Sequence, residues 1–269
     1  MTAFGEVLKD LRKSRRLSQL DLAMESDVST RHISFLETGR SKPSREMILH
    51  LARMMDIPYK ETNMLLASAG FSYQYQESPL NATTLSPIRA ALNFMLDTHA
   101  PYPAIVMDEN WNILMANQPQ QTLTAKLVEL GAKFPPTFNM MELFFDDNGY
   151  RPFVDNWEEV AIFLLQRIHK EHLLRPNRDA PNELLDKLLS YNAIPSDWQK
   201  REVGDIATPL VQLKLTVGSH KLSLFSTIAT FGTPLDVTLQ NIRIEHYFPG
   251  DDATKLFFKQ LSSHDTATE

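Results

Sequence analysis

The feature that most constrains this 269-residue chain is a pair of short helix patterns separated by a brief break, within residues 18–43. Ser18 is a typical N-cap residue, and the helix predicted to follow it carries apolar side chains that can face a core. After the break, Ser29 caps a second predicted helix, in which Ile33 and Leu36 lie at helical spacing and point inward. This order of caps and apolar positions predicts a helix-turn-helix that reads DNA.

The outward side of the second predicted helix is polar, as is expected of a helix that contacts base edges in the major groove. Gly39 is expected to end this helix, and the basic side chains that follow, among them Arg45, are typical of phosphate contacts. The alternative for each side chain is an ordinary solvated helix surface. The candidate DNA contacts are Ser18, Gln19, Ser29, Thr30, Arg31, His32, Phe35, Arg40 and Lys42.

This stretch resembles the XRE-like (Cro/CI-type) helix-turn-helix family over about sixty residues. The resemblance implies that Thr30, Arg31 and Phe35 face bases. It also implies that Gln19 contacts a phosphate or a base and that basic side chains after Gly39 contact the backbone. The matching segments are Leu11-Arg12, Leu17-Ser18-Gln19, Leu22-Ala23, Val28-Ser29, Ile33-Ser34, Glu37, Gly39-Arg40 and Pro43-Ser44, with Arg40 and Lys42 as the backbone contacts.

Two further implications of the resemblance concern the scaffold. It implies that Arg12 pairs with Glu37, so that neither of them contacts DNA. Asp27 and Arg16 stand where such domains commonly carry glycine. If these positions require a positive φ, Asp accommodates it better than Arg does.

Composition narrows the remaining classes of function. The chain has no cysteine, which excludes disulfides, zinc–thiolate sites and thiol catalysis. No apolar run approaches the roughly 18 residues that span a bilayer, and no signal-peptide pattern opens the sequence, so a cytoplasmic protein is expected. The net charge is −6, but residues 29–45 carry four Lys and Arg against one Glu. Binding to DNA would therefore depend on a local positive face.

The chain is predicted to form two domains of an α+β protein. An all-α domain of five helices is followed by five strand patterns, with helical patterns between the second and the third. Two strands, a block of helices and three strands indicate one antiparallel sheet with helices on one face, the outline of a PAS-like sensor fold. The predicted boundaries are 1–70 for the helix-turn-helix domain, 71–87 for a linker, 88–261 for the PAS-like domain and 262–269 for a flexible tail. The predicted strands are 102–108, 113–117, 210–217, 222–231 and 237–247.

The second domain resembles the ligand-binding domain of MmyB-like transcription regulators. This resemblance implies a small hydrophobic effector such as a fatty acid. The alternative is a PAS-like module for dimerisation or protein interaction that takes no small molecule. The matching segments are Ala67-Ser68-Ala69-Gly70-Phe71, Tyr102-Pro103-Ala104-Ile105-Val106-Met107-Asp108, Trp111-Asn112, Ala116-Asn117, Asn156-Trp157-Glu158, 232–237 and 248–252.

Aromatic side chains of the second domain could line a ligand cavity, and such a cavity usually has a volume of about 300 to 1,000 Å³. The same side chains could equally form a plain core. The candidate ligand-binding residues are Trp111, Phe144, Phe145, Phe153, Trp157 and Phe231.

The sequence contains only weak signals for metal binding or catalysis. His169 and His172 could share a helix face, but they lack the spacing of a zincin site, and a solvated helix end explains them better. We find no phosphate loop, dinucleotide fingerprint or nucleophile elbow, so no enzyme, cofactor or metal is predicted. The sequence therefore predicts a transcription regulator that acts as a homodimer on a double-stranded DNA operator, and the MmyB-like resemblance implies that it senses a small hydrophobic ligand.

Overall fold

A computed structural model describes residues 2–173, 181–202, 210–232 and 234–265. The described residues form two compact units. The first contains residues 2–79 together with 171–173, 232 and 234–240, and the second contains the rest. The domain boundaries predicted at 70 and 87 remain predictions.

The first unit is built on five helices, as predicted. Side-chain hydroxyls of Thr2, Ser18, Ser29 and Ser44 cap four of them by accepting a backbone N–H. Fully buried aliphatic side chains from the helices form one core between them. The helices are α1 (Ala3–Ser14), α2 (Gln19–Ser26), α3 (Thr30–Thr38), α4 (Arg45–Met54) and α5 (Tyr59–Ser68).

Three of the turns between these helices use a left-handed backbone at a residue that is not glycine, namely Arg16, Asp27 and Asp56. Arg16 has φ +58° and Asp27 has φ +53°, which confirms that both positions require a positive φ. An L-residue is strained in this region, and Asp less so than Arg. The turn of the helix-turn-helix is therefore set by backbone geometry that a glycine would adopt more easily.

The chain after α5 folds back on the first unit. Asn63 accepts backbone N–H bonds from Gln74 and Tyr75 at its side-chain oxygen and donates to the Tyr75 carbonyl at 2.8 Å. Tyr75 also stacks on Tyr59 with a centroid distance of 3.8 Å. The first part of the predicted linker is thus fixed by hydrogen bonds.

The second unit contains a five-stranded antiparallel sheet with the strand order β2-β1-β5-β4-β3. Together with its helices, it confirms the α+β class and the PAS-like outline. The strands are β1 (Ala104–Met107), β2 (Ile113–Ala116), β3 (Leu213–Val217), β4 (His220–Ala229) and β5 (Arg243–Pro249).

Helices cover the core side of this sheet. The helix α6 (Ser86–Thr98) contributes no side chain to that core and contacts β1, both of whose faces are buried. Phe145 and Phe258 are the largest fully buried side chains. The last helix continues to Asp265, past Leu261, after which a flexible tail was predicted, and residues 266–269 lie outside the described residues. The helices of the second unit are α6 (Ser86–Thr98), α7 (Gln118–Glu129), α8 (Met140–Phe145), α9 (Trp157–Leu173), α10 (Glu183–Leu189) and α12 (Asp252–Asp265). A further helix, α11 (Val237–Asn241), lies between β4 and β5, and its residues 237–240 belong to the first unit.

The strand predicted over residues 237–247 is wrong in its first half. Val237–Asn241 is the short helix α11, and β5 begins only at Arg243. The Asp236 carboxylate accepts the Thr238 N–H at 2.8 Å, a local bond that favours a helical turn over an extended chain. The Gln240 side-chain oxygen accepts the Tyr59 N–H, also at 2.8 Å, at the start of α5. Since Pro58 gives α5 no side-chain cap, Gln240 supplies a cap from a distant part of the sequence.

Candidate functional site

The helix α3 is positioned as the sequence predicts for a recognition helix. The Ser29 hydroxyl accepts the His32 N–H at 3.2 Å, and Gly39 ends the helix with φ +77°. Ile33 and Leu36 are fully buried. Arg31 and Phe35 each lie two residues from Ile33, which places them about 200° around the helix axis from it. They therefore lie on the outward side of α3.

A buried ion pair holds α3 against α1. The Arg12 guanidinium donates to both carboxylate oxygens of Glu37, at 2.6 and 3.0 Å, and to the Leu17 carbonyl at 2.7 Å. This confirms the scaffold pair that the family resemblance implied. The Gln19 amide also donates to Glu37 at 2.7 Å, so this predicted DNA contact is oriented by the same carboxylate.

The other candidate DNA contacts include two helix caps and several exposed polar side chains. Ser18 and Ser29 use their hydroxyls as helix caps. Ser18 shares its cap with the Asp21 carboxylate, and these hydrogen bonds lower the pKa of Asp21. Exposed side chains with a contact-ready polar end are Thr30, Arg31, Arg40 and Lys42, and His32 is half-buried.

Phe35 is an aromatic side chain between two cations. The guanidinium carbon of Arg31 lies over the Phe35 ring at 5.2 Å from its centroid, and that of Arg40 lies at 5.8 Å. Arg45, in contrast, is turned to the protein, since its guanidinium donates to the Ser72 carbonyl and the Gln74 side chain, both at 2.7 Å. As placed here, Arg45 fits a structural role better than the expected phosphate contact.

The second unit contains a cavity of about 100 Å³ that is partly open to the surface, and an adjoining chamber of about 50 Å³. Met140 and Phe144 belong to the walls of both. Of the predicted ligand-binding residues, Trp111 and Phe144 line the cavity. Phe145 and Trp157 pack behind it in the core, with ring centroids 5.7 Å apart. Phe153 is half-buried against the same core, and Phe231 lies beyond the end of β4, on neither wall.

One wall of the cavity is polar, which sequence reasoning did not find. Ser226, Glu245 and Tyr247 line it from adjacent strands, β4 and β5. Burial raises the pKa of the Glu245 carboxyl, although hydrogen bonds from the Ser226 and Tyr247 side chains oppose that shift. Burial, with the neighbouring carboxyl, also raises the pKa of Tyr247 well above its ordinary value. The sequence signal that could have located this polar wall is the alternation of polar side chains along β5. Alternate side chains of a strand point to the same face of the sheet, and β5 pairs with a neighbouring strand on both edges.

Trp111 connects the apolar and polar parts of this cavity. The guanidinium carbons of Arg167 and Arg243 each lie 4.9 Å from the Trp111 ring centroid. Trp111 has φ +68°, which is rare for a bulky residue and costs about 1–3 kcal/mol. Its carbonyl accepts the Met140 N–H at 2.9 Å, so hydrogen bonding helps to hold the strained residue at the cavity wall.

Two other functions receive no support from the described ranges. No helix in them is both long enough and apolar enough to cross a membrane. The described side chains also bring no three His, Cys, Asp or Glu together where they could hold a metal ion. His169 instead lies edge-on to the Trp198 ring at 5.7 Å.

Comparisons with known proteins agree with this two-part organisation. The family model of the MmyB-like transcription regulator ligand binding domain matches residues 88–261, and a helix-turn-helix family model matches residues 8–61. The chain is 36% identical over 78 residues to the uncharacterized HTH-type transcriptional regulator RghRB of Bacillus subtilis (strain 168), and 38% identical over 79 residues to the HTH-type transcriptional repressor RghR of the same organism. Each match covers 29% of this chain and about half of the relative, 54% and 56%.

Among solved structures, a similarity extends to the structure of an RNA-binding light-oxygen-voltage receptor. It covers 98% of this chain and 62% of that one, at 9% identity and a TM-score of 0.24. A similarity this weak adds nothing to the fold described above.

Proposed function

Because this chain belongs to the family of MmyB-like transcription regulators, we propose that it binds a specific DNA operator through α3 and that a small hydrophobic ligand in the second unit controls this binding. The observation that carries the DNA part is the outward face of α3. Arg31 and Phe35 lie opposite the buried Ile33, on a helix that the Arg12–Glu37 pair joins to α1. Such a preorganised helix is the element that helix-turn-helix proteins insert into the major groove.

The proposed assembly on DNA is a homodimer on a two-fold operator. Two recognition helices related by a two-fold axis read half-sites about 34–36 Å apart. The direct test is to select duplexes from a random DNA library with the purified protein. Enrichment of a palindromic sequence with half-sites one helical turn apart is expected. A library that is retained without enrichment would show binding through phosphates alone.

The proposed ligand is an amphipathic, fatty-acid-like molecule. Aromatic and aliphatic side chains would enclose its tail, and the guanidinium of Arg167, which lines the cavity, would attract an acidic head. The cavity and the adjoining chamber are smaller than the usual ligand site even when taken together, so binding requires them both to merge and to widen. Met140 and Phe144 are among the residues that line both, and methionine adapts readily because its side chain is unbranched.

Organic extraction of the purified protein followed by mass spectrometry tests this part. One apolar molecule per chain is expected. Met140→Trp should fill the shared wall and abolish retention of the ligand, while Met64→Trp, at an exposed position on α5, should retain it. A folded Met140→Trp protein that keeps its ligand would place the site elsewhere. An empty wild-type protein would favour the PAS-like domain as a dimerisation or interaction module.

The chain itself offers a route for regulation. Residues 234–240 follow β4 and precede β5, the strands that carry Ser226 and Glu245, and they belong to the first unit. The Val237 N–H donates to the Gln76 carbonyl at 2.8 Å there. A ligand that displaces β4 or β5 would therefore pull on this segment. The effect on DNA affinity is limited by the difference in ligand affinity between the two states.

A further inference from the structure

Phe35 is unusual for its position on the outward side of α3. The described core of the first unit, including the half-buried side chains packed against it, does not contain Phe35. Its neighbours on this side of the helix are the exposed Arg31 and the half-buried Ser34. The Phe35 ring is half-buried and lies outside this core, on a helix that is proposed to face DNA, so it is available for contact with a partner.

The two cations restrict how this ring can be used. Arg31 lies one helical turn before Phe35, and its guanidinium carbon is over the ring at 5.2 Å. A guanidinium held over an aromatic ring in this way keeps N–H donors that can form further hydrogen bonds. Arg31 thus presents donors beside an apolar edge supplied by Phe35.

The major groove offers a matching pair of groups. The C5-methyl of thymine is the apolar feature of its floor, and guanine O6 and N7 accept two bonds from an arginine. Four residues of helix rise about 6 Å, whereas base pairs are stacked about 3.4 Å apart, so side chains that converge from Arg31 and Phe35 reach neighbouring base pairs.

We infer that Phe35 packs against the methyl group of a thymine while Arg31, positioned by the Phe35 ring, reads the guanine of a neighbouring base pair. This inference rests on the proposed function, because it needs α3 in the major groove. It adds the base identities that the operator must contain in each half-site.

The test uses the duplex enriched from a random library by the wild-type protein. Each thymine is replaced in turn by deoxyuridine, which removes only the C5-methyl. At one thymine in each half-site this change should weaken binding about fourfold, the effect of one buried methyl group. Replacing the neighbouring guanine by 7-deazaguanine should weaken binding as well, since it removes an acceptor of the arginine pair.

Variants then assign the methyl contact to the ring. Phe35→Ala should bind the thymine and deoxyuridine duplexes equally, and Phe35→Leu, which keeps an apolar side chain, should retain part of the preference. Phe94→Ala is the matched control, because Phe94 is an exposed phenylalanine (71%) on α6. It should keep the full fourfold difference.

The outcomes separate this inference from the proposed function. Enrichment of an operator in which no thymine is sensitive to loss of its methyl overturns the inference alone. So does a Phe35→Ala protein that still distinguishes thymine from deoxyuridine. A library in which no sequence is enriched overturns the operator proposal and the inference together.

Discussion

Arg12 of α1 and Glu37 of α3 lie 25 positions apart in the sequence and form a doubly hydrogen-bonded ion pair in the interior of the first unit. Both side chains are almost fully buried, at 8% and 3% exposure. A pair of this kind fixes the orientation of α3 relative to α1, because both hydrogen bonds lie in the plane of the guanidinium.

Removing one partner of this pair should be far more harmful than removing both. Glu37→Ala leaves a buried cation and is expected to cost about 3–5 kcal/mol of unfolding free energy, whereas replacing both residues by apolar side chains of similar volume should be close to neutral. Calorimetry of the full chain, with amide hydrogen exchange of α3, measures this. Glu25→Ala, at an exposed position of α2, is the control and should change stability by less than about 0.5 kcal/mol. Equal losses for Glu37→Ala and Glu25→Ala would contradict the scaffold role.

Arg16→Gly should stabilise the first unit. Arg16 is exposed and has φ +58°, a conformation that costs an L-residue about 1–2 kcal/mol. Part of that gain is offset by the greater freedom of glycine in the unfolded chain, which leaves a gain of up to about 1 kcal/mol. Lys13→Gly, three positions earlier within α1, should instead lose about 1 kcal/mol. The pair is compared by thermal unfolding, and a destabilised Arg16→Gly protein would disprove the strain argument.

Arg31→Ala should weaken binding to the selected operator by about 1–3 kcal/mol and relax specificity at one base pair of each half-site. The reason is the loss of a paired hydrogen bond to a base edge. Arg53→Ala removes the same charge from the last turn of α4, at an exposed position, and should leave specificity intact. Binding is measured by titration at fixed salt, because affinity for DNA depends steeply on ionic strength. Unchanged affinity of Arg31→Ala would show that another face of the first unit reads DNA.

Glu245→Gln should change how stability depends on pH. Burial raises the pKa of Glu245 in the folded protein above its ordinary value of 4.5, so the native state binds the proton more tightly than the unfolded chain does. The stability that this proton contributes is complete below pH 4.5 and is lost as the pH rises through the raised pKa. The uncharged variant should therefore gain stability relative to wild type over the range above pH 4.5 in which Glu245 loses its proton.

Tryptophan fluorescence in urea measures this difference, because Trp111, Trp157 and Trp198 all lie in the second unit. Glu183→Gln, at an exposed position in the first turn of α10, should show no such trend. A constant difference between Glu245→Gln and wild type across this range would mean that Glu245 has the same pKa in the folded and unfolded states.

Local signals in the sequence accounted for the helix-turn-helix. Ser18 and Ser29 cap helices through bonds to residues three positions away, and Gly39 ends α3 by its own left-handed backbone. The spacing of Ile33 and Leu36 also defined which side of α3 faces outward. Each of these interactions joins residues that lie within about two helical turns of each other, so the local sequence pattern is enough to predict them.

The sequence by itself determined the two-part organisation, the five helices of the first unit and the outward face of α3, because capping and helical periodicity act between near neighbours. Only the tertiary structure decided which aromatic side chains line the cavity and which form the core behind it. Trp111 and Phe144 were separated from Phe145 and Trp157 by the packing of α8 and α9 against the sheet. It also placed Glu245 beside Ser226 and brought Gln240 to the start of α5. These contacts join residues far apart in the chain, and their partners are chosen by packing, which no local pattern records.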